Sequence, residues 1–159
     1  MGGYLGAIGF EPMPDAYSKA KCKFENNLKI SIYNYAAWDN EECLDFTFDN
    51  AGSYQNKGGN IKALGKPIDM LLGEVTSKYE WKDRLNVYLK MDIEGSELRA
   101  LKGARKFISA YHPRMAISVY HKVNDFIDIP EFVLGIDRNY EFYMRQYFSN
   151  MAETVLYAI

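Results

Sequence analysis

The chain has 159 residues, of which 48% are hydrophobic and 25% are charged, and its formal net charge is −2. This length and composition are typical of a single globular domain with a buried core. The slightly acidic balance argues against a nucleic-acid-binding protein, which normally carries a basic surface.

Membrane segments and cysteine frameworks are also absent from the sequence pattern. No apolar stretch reaches the roughly 20 residues of a membrane helix, and no signal peptide is recognisable at the N-terminus. The two cysteines, Cys22 and Cys43, lack metal-ligand spacing, so neither a disulfide framework nor a metal site is predicted. We therefore expect a cytoplasmic protein without a membrane span.

The first half of the chain begins with alternating strand and helix patterns. Residues 4–10 form an apolar, β-prone segment that ends at Glu11. A helix capped by Asp15 is predicted next, because apolar residues then recur at spacings of three and four. A second strand over 29–35 is followed by Ala37, Trp38 and Asp39.

The middle of the chain has a different pattern. Residues 44–48 alternate between apolar and polar with a period of two, and a turn-rich segment separates them from 60–64. This pattern predicts a β-hairpin insertion over 44–64. A short helix over 67–72 and a polar helix or loop over 74–84 are expected after it.

The second half returns to alternating strands and helices. A strand over 87–93 closes at Glu94 and Gly95, and a helix capped by Ser96 follows it. A strand over 115–120, a helix over 124–136, and a hairpin of 140–147 with 154–159 complete the chain. The pattern predicts one α/β domain over 1–159, with a doubly wound, mostly parallel sheet and a C-terminal antiparallel hairpin.

In an open parallel sheet, ligands bind beyond the carboxyl ends of the strands. The chain places acidic residues and a histidine at these ends, namely Glu11, Asp39, Asp92, Glu94 and His121. A carboxylate in the position of Glu11 can accept hydrogen bonds from both hydroxyls of a ribose. A surface glutamate beside a turn proline explains Glu11 equally well.

Strand alternation places Lys90 and Asp92 on the same face of the 87–93 strand. Because a buried ammonium needs a partner, this predicts an ion pair between the two side chains. A structural pair and a catalytic carboxylate are both consistent with this pattern. His121, at the end of the next predicted strand, is a candidate base near neutral pH, although a lone histidine also fits a structural role.

The segment Lys90-Met91-Asp92-Ile93-Glu94-Gly95-Ser96-Glu97, followed by Leu101-Lys102-Gly103-Ala104, resembles the signature of the FkbM-family methyltransferases. Phe10-Glu11-Pro12, Ala37-Trp38-Asp39 and the segment 153–158 are similar to other parts of the family's pattern. The resemblance implies a class I methyltransferase fold with strand order 3-2-1-4-5-7-6. It also implies methyl transfer from S-adenosyl-L-methionine to a hydroxyl of a sugar, a polysaccharide or a polyketide-like small molecule.

The resemblance assigns roles to the residues at the strand ends. Glu11 would bind the ribose of the cofactor, and the residues that flank the adenine would be Ala37, Trp38 and Asp39. Asp92 and Glu94 would face the sulfonium and the acceptor, with His121 on the acceptor side. The implied partner is a small-molecule or glycan acceptor.

The family pattern also contains a feature that is missing before residue 4. Its members begin with a strand and a glycine-rich loop that cradles the methionine half of the cofactor, whereas only Met1-Gly2-Gly3 precede the first predicted strand here. We therefore expect an N-terminally truncated form, in which 4–10 pairs directly with 87–93 or a second copy forms a homodimer. The alternative function is a non-catalytic methyltransferase-fold remnant that binds the cofactor weakly or not at all.

Overall fold

The structure is a computed structural model that describes residues 6–49, 52–70, 86–149 and 153–159. The strands are β1 Ala7–Phe10, β2 Ile30–Tyr33, β3 Ala36–Ala37, β4 Glu42–Asp49, β5 Gly52–Gln55, β6 Ile61–Lys66, β7 Tyr88–Met91, β8 Arg114–Ser118, β9 Phe142–Gln146 and β10 Thr154–Ala158. The helices are α1 Pro14–Phe24, α2 Glu97–Lys102, α3 Arg105–Tyr111 and α4 Asp125–Leu134. The segment predicted over 74–84 and the end of the helix predicted over 67–72 lie outside the described residues.

The C-terminal sheet has the strand order β7-β8-β10-β9. Strands β7 and β8 are parallel, with Met91 opposite Ile117, and β10 runs antiparallel to both β8 and β9. The predicted parallel neighbours and the predicted terminal hairpin are therefore confirmed. This order corresponds to the 4-5-7-6 part of the strand order implied by the resemblance.

The N-terminal strands β1 and β2 form a parallel pair in which Phe10 lies opposite Tyr33. The side-chain amide of Asn34 donates hydrogen bonds to the carbonyl oxygens of Glu11, at 2.9 Å, and Pro12, at 3.1 Å, and so ties the ends of the two strands together. Among the described strands, β1 pairs with β2 alone. The predicted direct pairing of 4–10 with 87–93 is therefore wrong.

The middle segment forms a third sheet with the order β3-β6-β4-β5. The antiparallel pairing expected within 44–64 is present between β4 and β6, and β5 adds an edge strand along β4. The second strand predicted over 29–35 is observed as the shorter β2, and β3 follows it as a separate strand that pairs with β6.

The described strands thus form a mixed α/β fold, and the predicted doubly wound, mostly parallel sheet is not confirmed. Their parallel pairs are β1 with β2, β3 with β6 and β7 with β8. Antiparallel pairs join β4 to β5 and β6, and β10 to β8 and β9. The middle sheet and the terminal hairpin supply all the antiparallel contacts, since short connections favour antiparallel neighbours.

The main core lies between the C-terminal sheet and the helices α2, α3 and α4. Its central side chains have almost no solvent exposure, namely Leu101, Ile108, Ile117, Ile129 and Val133. A second core, around Trp38, Leu44 and Phe46, belongs to the middle sheet. None of the helices in the described residues combines the length and apolar character needed to cross a membrane.

One helix was predicted between Ser96 and His112, but the structure divides it into α2 and α3 at Gly103 and Ala104. The carbonyl oxygen of Trp38 approaches Gly103 so closely that a Cβ atom there would lie 1.8 Å from it. Glycine at this position therefore allows the loop after β3 to pack directly against the end of α2. The predicted caps also differ, because α1 begins at Pro14 after Met13, and Ser96 makes no side-chain capping bond.

Candidate active site

The turn between β7 and α2 is built from two residues in left-handed backbone conformations, Glu94 with φ 55° and Gly95 with φ 85°. This conformation is strained for a glutamate and readily adopted by glycine. A Cβ atom on Gly95 would lie 3.2 Å from Cε of Lys122. The turn therefore packs against the loop after β8, where the predicted site histidine is located.

His121 is the residue around which the carboxylates of the two strand ends gather. Its Nε2 atom lies 3.1 Å from Oε2 of Glu94 and 3.9 Å from Oδ1 of Asp92. Its Nδ1 atom lies 3.1 Å from Oε1 of Glu97, and only 11% of the His121 side chain is exposed. Neither ring nitrogen makes a well-aligned hydrogen bond, so these contacts are best described as ion pairs. The structure thus brings together all three predicted catalytic residues, Asp92, Glu94 and His121.

Glu97 also belongs to the site, although the sequence patterns did not predict it as a site residue. Its side chain is completely buried, and its Oε1 atom accepts a hydrogen bond of 2.9 Å from the backbone N–H of Ile93. The sequence pattern predicted the helix but indicated no site role for Glu97. Its spacing of four from Leu101 is the signal that places it on the buried face.

The pKa of His121 is raised above its ordinary value. Burial is the largest single influence and acts to lower the pKa, but the carboxylates of Glu97, Glu94 and Asp92 together outweigh it. The imidazole therefore retains its proton further into the neutral range than an isolated histidine does. This makes His121 a poorer base near neutral pH than the sequence suggested.

Asp92 lies at the end of β7 beside a second aromatic partner. The hydroxyl of Tyr120 lies 3.4 Å from Oδ1 of Asp92, and the ring of Tyr120 lies 4.0 Å from the ring of His121. Burial, followed by the charge of Asp92, raises the pKa of Tyr120 to about 12, so this hydroxyl keeps its proton.

The predicted ion pair between Lys90 and Asp92 is wrong, because Lys90 is exposed and its ammonium forms no salt bridge with Asp92. Among the described residues, Lys90 and Tyr88 on this face of β7 are both exposed.

Glu11 stands at the end of β1 with a fixed orientation. Its Oε1 atom accepts a hydrogen bond of 2.8 Å from the backbone N–H of Met13, in the turn that leads into α1. The preceding Phe10 packs against the same main core as Ala37 and Ile93. Residues at the ends of β1, β3 and β7 therefore contribute to the same hydrophobic core.

Trp38 and Asp39 follow β3 and are held by Arg99 of α2. The guanidinium of Arg99 lies 4.7 Å from the centre of the Trp38 ring, and its Nε atom lies 3.0 Å from Oδ2 of Asp39. The Trp38 indole is buried and donates a hydrogen bond of 2.5 Å to Glu42. The Trp38 ring thus positions Arg99. The other carboxylate oxygen of Asp39, Oδ1, is buried and has no hydrogen-bond partner.

Two shallow cavities of about 380 and 580 Å³ lie elsewhere, on the surface that α3 and α4 share around Gly135 and Ile136. Neither is lined by a residue from a strand end. The converging titratable groups at the strand ends therefore define the candidate site better than these cavities do.

Comparison with known proteins shows the family to which the chain is similar. A family model described as the methyltransferase FkbM domain matches residues 1–152. A crystal structure described as methyltransferase FkbM from Methylobacillus flagellatus KT is similar to this chain, with a TM-score of 0.71 and 25% sequence identity. The similarity covers 98% of this chain and 36% of that one, so this chain spans about a third of the length of that relative. No curated protein matches the chain.

Proposed function

The chain belongs to the FkbM methyltransferase family, and from this premise we propose that it binds S-adenosyl-L-methionine and transfers its methyl group to an acceptor hydroxyl. The observation that carries the proposal is the buried Oδ1 atom of Asp39, which lacks a hydrogen-bond partner at the end of β3. A buried carboxylate oxygen that accepts no hydrogen bond lowers the stability of the folded state. The amino group of an adenine is a donor that could supply this hydrogen bond.

The residues around Asp39 fit the adenosine half of the cofactor. Arg99 holds the other carboxylate oxygen of Asp39, so the unpaired oxygen has a fixed direction. Ala37 and the backbone of Trp38 flank the adenine in this proposal. Glu11 accepts the ribose hydroxyls, and its orientation is already set by the hydrogen bond from Met13.

The cofactor supplies an electrophilic methyl group on a sulfonium, and the protein has to orient the acceptor hydroxyl and take its proton. Asp92 and Glu94 are accessible for this role, with 31% and 41% of their side chains exposed. His121 lies within ion-pairing distance of both carboxylates, and its raised pKa favours the protonated form that attracts them. In this proposal Asp92 receives the hydroxyl proton, and positioning supplies much of the acceleration.

We propose the hydroxyl of a sugar, a polysaccharide or a polyketide-like small molecule as the acceptor. The exposed carboxylates of Asp92 and Glu94 are hydrogen-bond acceptors that suit a polyhydroxylated compound. They do not suit a phosphate-rich partner, because like charges repel.

A calorimetric titration with S-adenosylhomocysteine tests the proposal. We expect binding that is weakened by Glu11→Ala and by Asp39→Ala. Asp15→Ala is the matched control, since Asp15 is an exposed acid in the first turn of α1, close to Glu11 in the chain. Absence of binding by the unmodified chain, or equal weakening by Asp15→Ala, would contradict the proposal and favour the non-catalytic alternative.

A further inference from the structure

Three side chains from the two strand ends lie close enough together to share one ion. Asp92, Glu97 and His121 each offer one ligand atom, and these atoms all lie within 4.8 Å of one another. We propose that these three residues bind a single divalent metal ion. The three ligands show no recognisable ligand spacing in the sequence, because a helix pair and a strand separate His121 from Asp92 and Glu97.

The charge around His121 favours a cation. The carboxylates of Asp92, Glu94 and Glu97 all lie within ion-pairing distance of this one imidazole. Asp125 is a fourth carboxylate, and it is buried close enough to Glu97 for the two charges to interact. Lys122 adds one positive charge close to Asp125. Negative charge therefore exceeds positive charge within the cluster, and a divalent ion would balance it.

A second observation, independent of the charge, concerns buried atoms without partners. Glu97 is completely buried, yet its Oε2 atom accepts no hydrogen bond. Both ring nitrogens of His121 are likewise buried without an aligned hydrogen bond. Buried polar atoms are nearly always satisfied by protein, water or an ion. The buried atoms without a hydrogen-bond partner therefore belong to Glu97 and His121, two of the three proposed ligands.

The distances within the cluster also suit coordination. Nδ1 of His121 and Oε1 of Glu97 are 3.1 Å apart without a well-aligned hydrogen bond. Two ligands at about 2.1 Å from a common ion lie roughly 3 Å apart when the angle at the ion is near 90°. The separation therefore suits a shared ion, as it also suits the ion pair of the metal-free site.

The ligand chemistry indicates which ions fit. Two carboxylates and one imidazole, with no thiolate, suit Mn²⁺ or Zn²⁺ better than a soft ion such as Cu⁺. Three protein ligands leave coordination positions open for water or for a hydroxyl group. Binding of the ion would release the proton from the ligating nitrogen of His121. If the proposed function holds, an acceptor hydroxyl bound there would become more acidic and would need only a weak base to take its proton.

Titration of the metal-free chain with Mn²⁺, followed by electron paramagnetic resonance, tests the site without methyl donor or acceptor. We expect one bound ion per chain, and affinity reduced by roughly 10–100-fold or more in Asp92→Asn and in His121→Ala. Competition by Zn²⁺ is expected at the same site. Circular dichroism confirms that each variant is folded.

The matched control is His112→Ala, because His112 forms the other imidazole–carboxylate pair of the described chain, 2.8 Å from Asp137. This variant should bind Mn²⁺ as tightly as the unmodified chain. No binding of Mn²⁺ or Zn²⁺, or unchanged binding in both site variants, would overturn the metal site. Neither result bears on S-adenosylhomocysteine binding, so the failure of this inference and the failure of the proposed function are distinguishable.

Discussion

The Nδ1 atom of His121 lies 3.1 Å from the Oε1 atom of Glu97, whose side chain is completely buried. Through this contact the end of β8 is joined to the start of α2. The same carboxylate accepts the N–H of Ile93 at the end of β7. One buried side chain therefore holds together three elements that border the candidate site.

We expect Glu97→Ala to destabilise the fold by about 3 kcal/mol, because it leaves His121 and the Ile93 N–H without their buried partner. Glu97→Gln should cost less, since an amide oxygen can still accept the Ile93 hydrogen bond. Urea denaturation provides the measurement. Lys102→Ala, an exposed change in the same helix, is the control and should leave the midpoint nearly unchanged. A midpoint for Glu97→Ala equal to that of the control would show that the contact is not stabilising.

The raised pKa of His121 predicts a pH-dependent contribution to stability. Because the folded pKa lies above the unfolded value of about 6.5, the contribution is complete below that pH and is lost as the pH rises through the folded pKa. His121→Gln should therefore destabilise more at about pH 6 than at about pH 9.

Nuclear magnetic resonance gives a direct measurement of this pKa. The chain has 2 histidines, so His112→Gln leaves a single imidazole signal that belongs to His121. We expect its titration midpoint above about 6.5. A midpoint below that value would show that burial outweighs the carboxylates.

Gly103→Ala should be strongly destabilising, by about 3 kcal/mol or more, because the new methyl group would overlap the carbonyl oxygen of Trp38. Gly135→Ala is a matched control. Both glycines end a helix in the right-handed region, with φ −77° and −69°. The nearest atom to a Cβ on Gly135 is 3.3 Å away. Thermal melting of the two variants should differ clearly, and similar melting temperatures would be evidence against the close approach.

The strand-end residues should separate into two kinetic classes. Asp92→Ala and Glu94→Ala are expected to lower the rate of methyl transfer more than they weaken cofactor binding, because these side chains face the acceptor in the proposed function. Glu11→Ala is expected to weaken binding chiefly. Single-turnover rates and calorimetric affinities measured on the same samples provide the comparison. Equal loss of affinity in all three variants would mean that the assigned roles are wrong.

The sequence predicted the elements that depend on local patterns. The parallel pairing of the strands before Glu94 and His121 followed from apolar segments joined by a helix, and the terminal hairpin followed from two short neighbouring strands. The expected pairing of 4–10 with 87–93 was wrong, because pairing between distant strands leaves no local pattern. The division of the helix at Gly103 depends on the Trp38 carbonyl, which is remote in the sequence.

The candidate site was predictable in outline and not in its electrostatics. Strand ends identified Asp92, Glu94 and His121, because the carboxyl ends of neighbouring parallel strands meet at one edge. The expected partner of Asp92 was Lys90, yet the structure places Tyr120 and His121 beside it instead. The spacing of four between Glu97 and Leu101 places Glu97 on the buried face of α2, but its contact with His121 depends on packing between separate elements, which no local pattern shows.

Helix α2 has 6 residues and carries both Glu97 and Arg99. Glu97 contacts His121, where the acceptor and the proposed metal would bind, and Arg99 contacts Asp39 on the proposed adenine side. A ligand that shifts this helix at one end must change the free energy of binding at the other. Such coupling is reciprocal, so each ligand alters the affinity of the other by the same factor. The two halves of the site then respond as one thermodynamic unit, whichever ligand arrives first.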